Sequence, residues 1–276
     1  MAGRRPAARP ARRRWSALER ELRASHGPLI AGVDEVGRGP LAGPVVACAV
    51  IMPPDRRAIA GVDDSKRLLP RQRQRLAVLI RERALAIGLG AASVHEIDRV
   101  NIYHATVRAM QRALARLPLT PHHVIIDGRR MRTLPVPHTA VVGGDACCFS
   151  IACASIVAKV TRDRLMAALG RRYPAYRWDR NVGYATRAHL AGLASHGITP
   201  HHRRSFYAVR DRLAEAAADA DLLVAELAAA LAPDPADAGL GEQRLAEQLL
   251  DDVLTTTADL PAADVAAPYH GDAHPA

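Results

Sequence analysis

The run Leu29–Ile51, LIAGVDEVGRGPLAGPVVACAVI, constrains this chain more than any other stretch. It places adjacent acids, Asp34 and Glu35, inside a segment that otherwise reads as a buried strand. A turn with one arginine follows at once (Gly37, Arg38, Gly39, Pro40), and a second apolar strand runs from about residue 43 to Ile51. Unpaired carboxylates in a sheet core cost several kcal/mol unless something compensates. A bound cation is the simplest compensation, provided the rest of the chain brings further ligands.

It does so at the ends of other strands. His123–Asp127 is a β-branched run that ends on an acid before Gly128, and Thr139–Val142 leads into Gly143, Gly144 and Asp145. In open α/β sheets function gathers at strand ends. Oxygen ligands without neighbouring His or Cys suit Mg²⁺ or Mn²⁺ rather than zinc. Asp34, Glu35, Asp127 and Asp145 are about the right number for a pair of ions acting on a phosphodiester. Taken singly, Asp127 also suits a turn and Asp145 a helix N-cap. Neighbours on a flat strand point to opposite faces, so Asp34 and Glu35 share a metal pair only if the strand bends or ends there; Gly37 and Gly39 would permit a bend.

The charge distribution points to a polyanionic partner. Residues 1–210 hold 36 Lys+Arg against 14 Asp+Glu, a net +22, whereas 211–276 hold 2 against 14, a net −12. A body this cationic suits nucleic acid. Nearly all the bases are arginine; the only lysines, Lys66 and Lys159, are therefore candidates for phosphate or carboxylate contacts. No apolar run approaches the roughly 20 residues that span a bilayer, and the basic N-terminus lacks the apolar core of a secretory signal. Cys48, Cys147, Cys148 and Cys153 form no CxxC pair, which suits a reduced, cytoplasmic setting.

Periodicity divides the chain into a basic arm (1–27), a mixed α/β body (28–218) and an acidic Ala/Asp-rich tail (219–276). After the hairpin the body is expected to hold a helix from Pro70 to about Ile87, a strand over Leu89–Val94 and a helix over Ile102–Leu117 capped by Asn101. A long helix from Cys148 to Tyr173 is expected to stop at Pro174, and another over Thr186–His196 to end at Gly197. A basic turn at 201–206 leads to a last helix. The tail is expected to hold transient helices at 220–232 and 241–254 and otherwise to be disordered.

Ordered motifs then give a specific resemblance. They are AGVDEVGRGP (31–40), Asp64-Ser65-Lys66, His95-Glu96-Ile97-Asp98, Ile126-Asp127-Gly128, Gly144-Asp145, ASIVAKVTRD (154–163), Gly183-Tyr184 and His202-Arg203-Arg204-Ser205-Phe206. Over about residues 29–210 the chain resembles the bacterial ribonuclease HII family, the type 2 ribonucleases H. The resemblance implies an RNase H-like mixed sheet flanked by helices, with a C-terminal helical portion. It implies endonucleolytic hydrolysis of RNA in RNA–DNA hybrids, single ribonucleotides in duplex DNA included, leaving 5′-phosphate and 3′-hydroxyl ends. Asp34, Glu35, Asp127 and Asp145 would hold two Mn²⁺ or Mg²⁺ ions. Gly37, Arg38 and Gly39 would read the ribose 2′-hydroxyl, largely through backbone groups, and Tyr184 would stack beneath the sugar.

Physics makes these roles sensible. At a single nucleotide only the 2′-hydroxyl separates RNA from DNA, and glycine lets backbone amides come close to it. The chain departs from the family where a lysine often precedes Gly-Asp (here Gly143) and where His-Lys often precedes Gly-Tyr (here Asn181-Val182). Asp163, between Arg162 and Arg164, reads as a structural ion-pair residue, Tyr184 alone as a core tyrosine, and His201-His202 as a loop feature. The segment before the first strand is short for the extra binding domain of the type 3 enzymes. A monomer with no obligate protein or membrane partner is expected. A junction resolvase of related fold and a non-enzymatic basic nucleic-acid-binding module are the alternatives.

Overall fold

The computed structural model describes Trp15 and residues 17–230. The chain forms two compact units, Met1–Leu213 and Ala214–Ala276. The first is built on a five-stranded sheet of order β3-β2-β1-β4-β5, with β1 Ile30–Val36, β2 Val45–Ile51, β3 Ala86–Ala92, β4 His123–Asp127 and β5 His138–Val141. Its helices are α1 Leu18–His26, α2 Pro70–Arg83, α3 Val94–Ala115, α4 Gly144–Cys147, α5 Phe149–Arg172, α6 Trp178–Asn181 and α7 Arg187–His196. A last helix, α8, runs Tyr207–Ala230 and carries the chain beyond residue 219 as continuous helix. The helix expected at 241–254 lies outside the described residues.

The sheet is mixed. β1 and β2 form the expected antiparallel hairpin, in which Asp34 faces Cys48 and Glu35 faces Ala47. β4 lies parallel to β1 on its other side, in register Val33↔Ile126, and β5 lies parallel to β4. Both strands that end on or just before a candidate acid therefore run in the direction of β1. That parallel arrangement brings Asp127 to the sheet end where Asp34 and Glu35 lie.

The sheet is covered on both faces. On one, α3 packs over Val33, Ala47 and Ala49 through Ile97, Ala109 and Met110. On the other, α5 and α2 pack over Cys48 and Val50 through Ile156, Val157, Leu76 and Ile80. The approach of α3 is close: a Cβ on Gly88 would lie 2.0 Å from the Ala113 carbonyl oxygen, and one on Gly90 2.1 Å from that of Ala109.

Sequence reasoning misplaced some boundaries. α2 ends at Arg83 rather than near Ile87, because the chain turns extended at Ala84 and Ile87 pairs with Val50. β3 consequently starts at Ala86, earlier than expected. α3 starts at Val94, where Ser93 and Glu96 form a reciprocal capping box that periodicity had hidden. Asn101 sits at a kink inside this helix with φ 66°; its side chain accepts from the Tyr103 and His104 N–H groups, so it caps the second segment as expected.

Candidate active site

Four acids lie at one end of the sheet. Asp34 alternates to the face covered by α5, since its strand neighbour Val33 belongs to the α3-side core and its cross-strand partner Cys48 to the α5-side core. It is 6% exposed, accepts the Glu35 N–H at 2.7 Å and takes a hydrogen bond from Ser155 of α5. Burial raises its pKa well above the usual carboxylate range, with the charges of Glu35 and Asp127 acting in the same direction. Glu35 points to the other face. Its pKa is also raised by burial, while Arg38, 3.3 Å away, pulls it down.

The strand does not bend at these acids. Glu35 and Val36 keep their ladder partners Ala47 and Val46, and the turn begins only at Gly37, whose φ of +95° favours glycine. What joins the two acids electrostatically is the sheet's end: Asp127, the last residue of β4, acts on both.

Asp127 accepts the Gly144 N–H at 2.7 Å, which ties β4 to the first turn of α4. Asp145 lies inside that turn rather than at its cap, and is buried. Burial raises its pKa, and Asp127 and Asp64 add to the effect; Lys66 opposes it. Asp64 is thus a fifth acid at the site, which sequence reasoning quoted in a motif without assigning a role. Its neighbour Ser65 shares a hydroxyl–hydroxyl hydrogen bond of 2.9 Å with Ser155, joining the 63–66 loop to the helix that touches Asp34.

Chemically the donor set fits a hard divalent cation: it offers only oxygens, and the burial that chiefly raises these pKa values, with the mutual repulsion that adds to it, is what such a cation offsets. As placed, Asp34, Glu35 and Asp127 are each turned to a separate donor: the Glu35 N–H, Arg38 and the Gly144 N–H. Among the described residues no group of three or more His, Cys, Asp or Glu is gathered closely enough to hold a metal ion.

The Gly37–Gly39 turn lies beside Tyr184. A Cβ on Gly39 would come within 3.5 Å of the Tyr184 ring. That ring is 48% exposed, which excludes the core-tyrosine reading. The Tyr184 carbonyl is held by His189 Nδ1 at 2.9 Å, and His189 Nε2 meets both Trp178 Nε1 at 3.0 Å and His202 Nε2 at 3.1 Å. His202 is therefore a buried structural residue, not part of a ligand pair; burial lowers its pKa to about 3.

The lysines differ. Lys66 is exposed and close enough to act on Asp145. Lys159 is bound to Asp163 at 2.7 Å, with Arg73 3.8 Å from the same carboxylate, so Asp163 makes the expected ion pair. Cys48, Cys147, Cys148 and Cys153 form no disulfide, and Cys48, Cys148 and Cys153 are buried. Among the described residues no helix is long and apolar enough to cross a membrane.

Comparison with known proteins now decides the family. The ribonuclease HII family model matches residues 31–209. The chain belongs to the ribonuclease HII family. A ribonuclease HII of Granulibacter bethesdensis is 57% identical over 201 residues, covering 71% of this chain and 90% of the relative. One from Thermosynechococcus vestitus is 58% identical over 178 residues, covering 64% and 83%. Among solved structures, the ribonuclease H2 from Pyrococcus horikoshii matches with a TM-score of 0.59 at 25% identity, covering 67% of this chain and 96% of that one. Membership makes the chain a nuclease of the type that hydrolyses RNA in RNA–DNA hybrids.

Proposed function

We propose that this ribonuclease HII cleaves the RNA strand of hybrids and also duplex DNA carrying single ribonucleotides, using two Mg²⁺ or Mn²⁺ ions and leaving 5′-phosphate and 3′-hydroxyl ends. The observation that carries the reading is the meeting of Asp34, Glu35 and Asp127 at one sheet end, with the Gly37–Gly39 turn starting two residues after Glu35.

Asp34, Glu35, Asp127 and Asp145 would hold the ions. Bound there, the metals would lower the pKa of a water and neutralise charge on the leaving oxygen. The protein's own groups do the rest. Asp34 is oriented by Ser155 and the Glu35 N–H, and Asp127 by the Gly144 N–H. The backbone of Gly37–Gly39 approaches the ribose, and the exposed Tyr184 ring offers a flat surface to the sugar beside it. Lys66 supplies positive charge on the Asp145 side. The cationic body adds phosphate attraction that does not depend on sequence. A cytoplasmic monomer fits these roles.

The deciding experiment is cleavage of a DNA duplex with one embedded ribonucleotide, with and without Mg²⁺ or Mn²⁺, with the cut mapped. Cleavage 5′ or 3′ to the ribonucleotide only when metal is added supports the reading. Equal cutting of an all-deoxy branched substrate would favour a resolvase instead.

A further inference from the structure

Beneath the turn lie two buried arginines for which the catalytic reading has no use. Arg162 is 1% exposed and Arg203 0%, and among the described residues neither makes an ion pair with an acid. Buried charge without a counter-charge is costly, so these groups must be satisfied in another way. Backbone carbonyls satisfy them. Arg162 donates to Pro44 O at 2.9 Å, Val182 O at 2.9 Å and Ala42 O at 3.1 Å. Arg203 donates to Gly43 O at 3.0 and 2.8 Å, to Arg38 O at 2.8 Å and to Gly37 O at 2.5 Å.

The last two bonds have a stereochemical consequence. In a trans peptide the C=O of one residue and the N–H of the next point in opposite directions. Drawing the Gly37 carbonyl toward Arg203 turns the Arg38 N–H away from it; drawing in the Arg38 carbonyl turns the Gly39 N–H away likewise. No hydrogen bond among the described residues engages either N–H. Both donors thus face away from the buried guanidinium, on the segment that borders Tyr184.

The clamp is itself held. The Arg203 guanidinium lies 5.0 Å from the Phe206 ring centroid, and the Arg203 N–H donates to Leu41 O. Asp98 accepts from the N–H groups of Arg204 and Ser205 and from the Ser205 hydroxyl, fixing the turn that carries Arg203. Arg162 joins the same loop to Val182, two residues before Tyr184, and the Leu41 N–H donates to Gly183 O.

We propose that Arg203 is the positioning residue of the ribose-reading turn, presenting the Arg38 and Gly39 N–H groups to the nucleotide, and that Arg162 locks that turn to the Tyr184 loop. This rests on the reading of Gly37–Gly39 as the ribose-recognition element. A lysine at 203 keeps the charge but cannot fork to several carbonyls at once.

The test is the ratio of affinities for a DNA duplex with one ribonucleotide and the same all-deoxy duplex, measured by fluorescence anisotropy with divalent ions chelated. In Arg203→Lys the ratio should fall about tenfold, the worth of one or two hydrogen bonds, while all-deoxy affinity is unchanged. A merely structural role would move both affinities together or neither. If the wild-type protein shows no preference, the reading of the turn fails. If the wild type discriminates and a folded Arg203→Lys variant discriminates equally, the inference alone fails. Should Arg203→Lys not fold, amide exchange in the native protein decides. Slower exchange at Arg38 and Gly39 with the ribonucleotide duplex and not with the all-deoxy duplex supports the outward donors. Equal effects of both duplexes, in a protein that discriminates in binding, overturn them.

Discussion

The acid cluster and the arginine pair break the same rule in opposite ways. Each buries charge of one sign a few residues from the other along β1 and its turn. The arginines are answered group by group: Pro44, Val182, Ala42, Gly43, Arg38 and Gly37 all offer carbonyls. The acids are answered only in part, by a few N–H or hydroxyl donors and, for Glu35, by Arg38, and they raise one another's pKa. A charge fully met by backbone dipoles is scaffold. A charge left in conflict with its neighbours is where an added cation can bind with a gain.

That contrast can be broken experimentally. The largest effect is expected at the acids: Asp34→Asn should reduce cleavage to background in a gel assay while hybrid binding survives. In metal-free buffer the same change should raise Tm by about 2–4 °C for each kcal/mol of repulsion relieved. A lower Tm would mean that Asp34 is structural after all. At the arginines the sign should reverse. Arg162→Met leaves buried carbonyls without donors and should cost about 2–4 kcal/mol in urea unfolding.

Acid titration sharpens the contrast. Burial first, then the charge of His189, lowers the His202 pKa from 6.5 to about 3. The unfolded chain therefore takes up its proton first as pH falls. The stability that neutral His202 confers is complete above about pH 6.5 and is lost between there and about pH 3, at roughly 1.4 kcal/mol per pH unit. Asp34 and Asp145 act in the opposite sense: their folded pKa values are raised, so acid relieves a cost present at neutral pH. Stability measured against pH should thus fall more steeply on the acid side in Asp34→Asn than in the wild type. The smallest effect is expected from Lys159→Ala, which removes a partly buried helix ion pair and should change stability by under about 1 kcal/mol. A large accompanying loss of substrate affinity would return Lys159 to the phosphate contacts.

The two regions were not equally visible in the sequence. Asp34, Glu35, Asp127 and Asp145 each stood at the end of an apolar run, where an acid is locally unexpected, and the hairpin followed from two apolar strands joined by a short Gly/Pro turn. The arginines carried no such mark. Among 38 basic residues of which all but Lys66 and Lys159 are arginine, nothing local says which lie inside. Arg203 and Arg162 acquire most of their partners from a loop more than a hundred residues earlier, so only the folded chain reveals them. The β3 boundary failed for a related reason: Ala86–Ala92 becomes strand by pairing with β2, not by its own propensity.

The closeness of α3 to the sheet bears on how variants of this enzyme are read. At Gly88 and Gly90 even a methyl group would meet helix backbone, which cannot step aside as a side chain can. A genetic screen for lost nuclease activity would therefore recover substitutions at these glycines as readily as at Asp34, though they lie in a strand that carries none of the candidate acids. The soluble yield of each variant separates the classes: an inactive Asp34 variant accumulates normally, and a Gly88 or Gly90 variant does not.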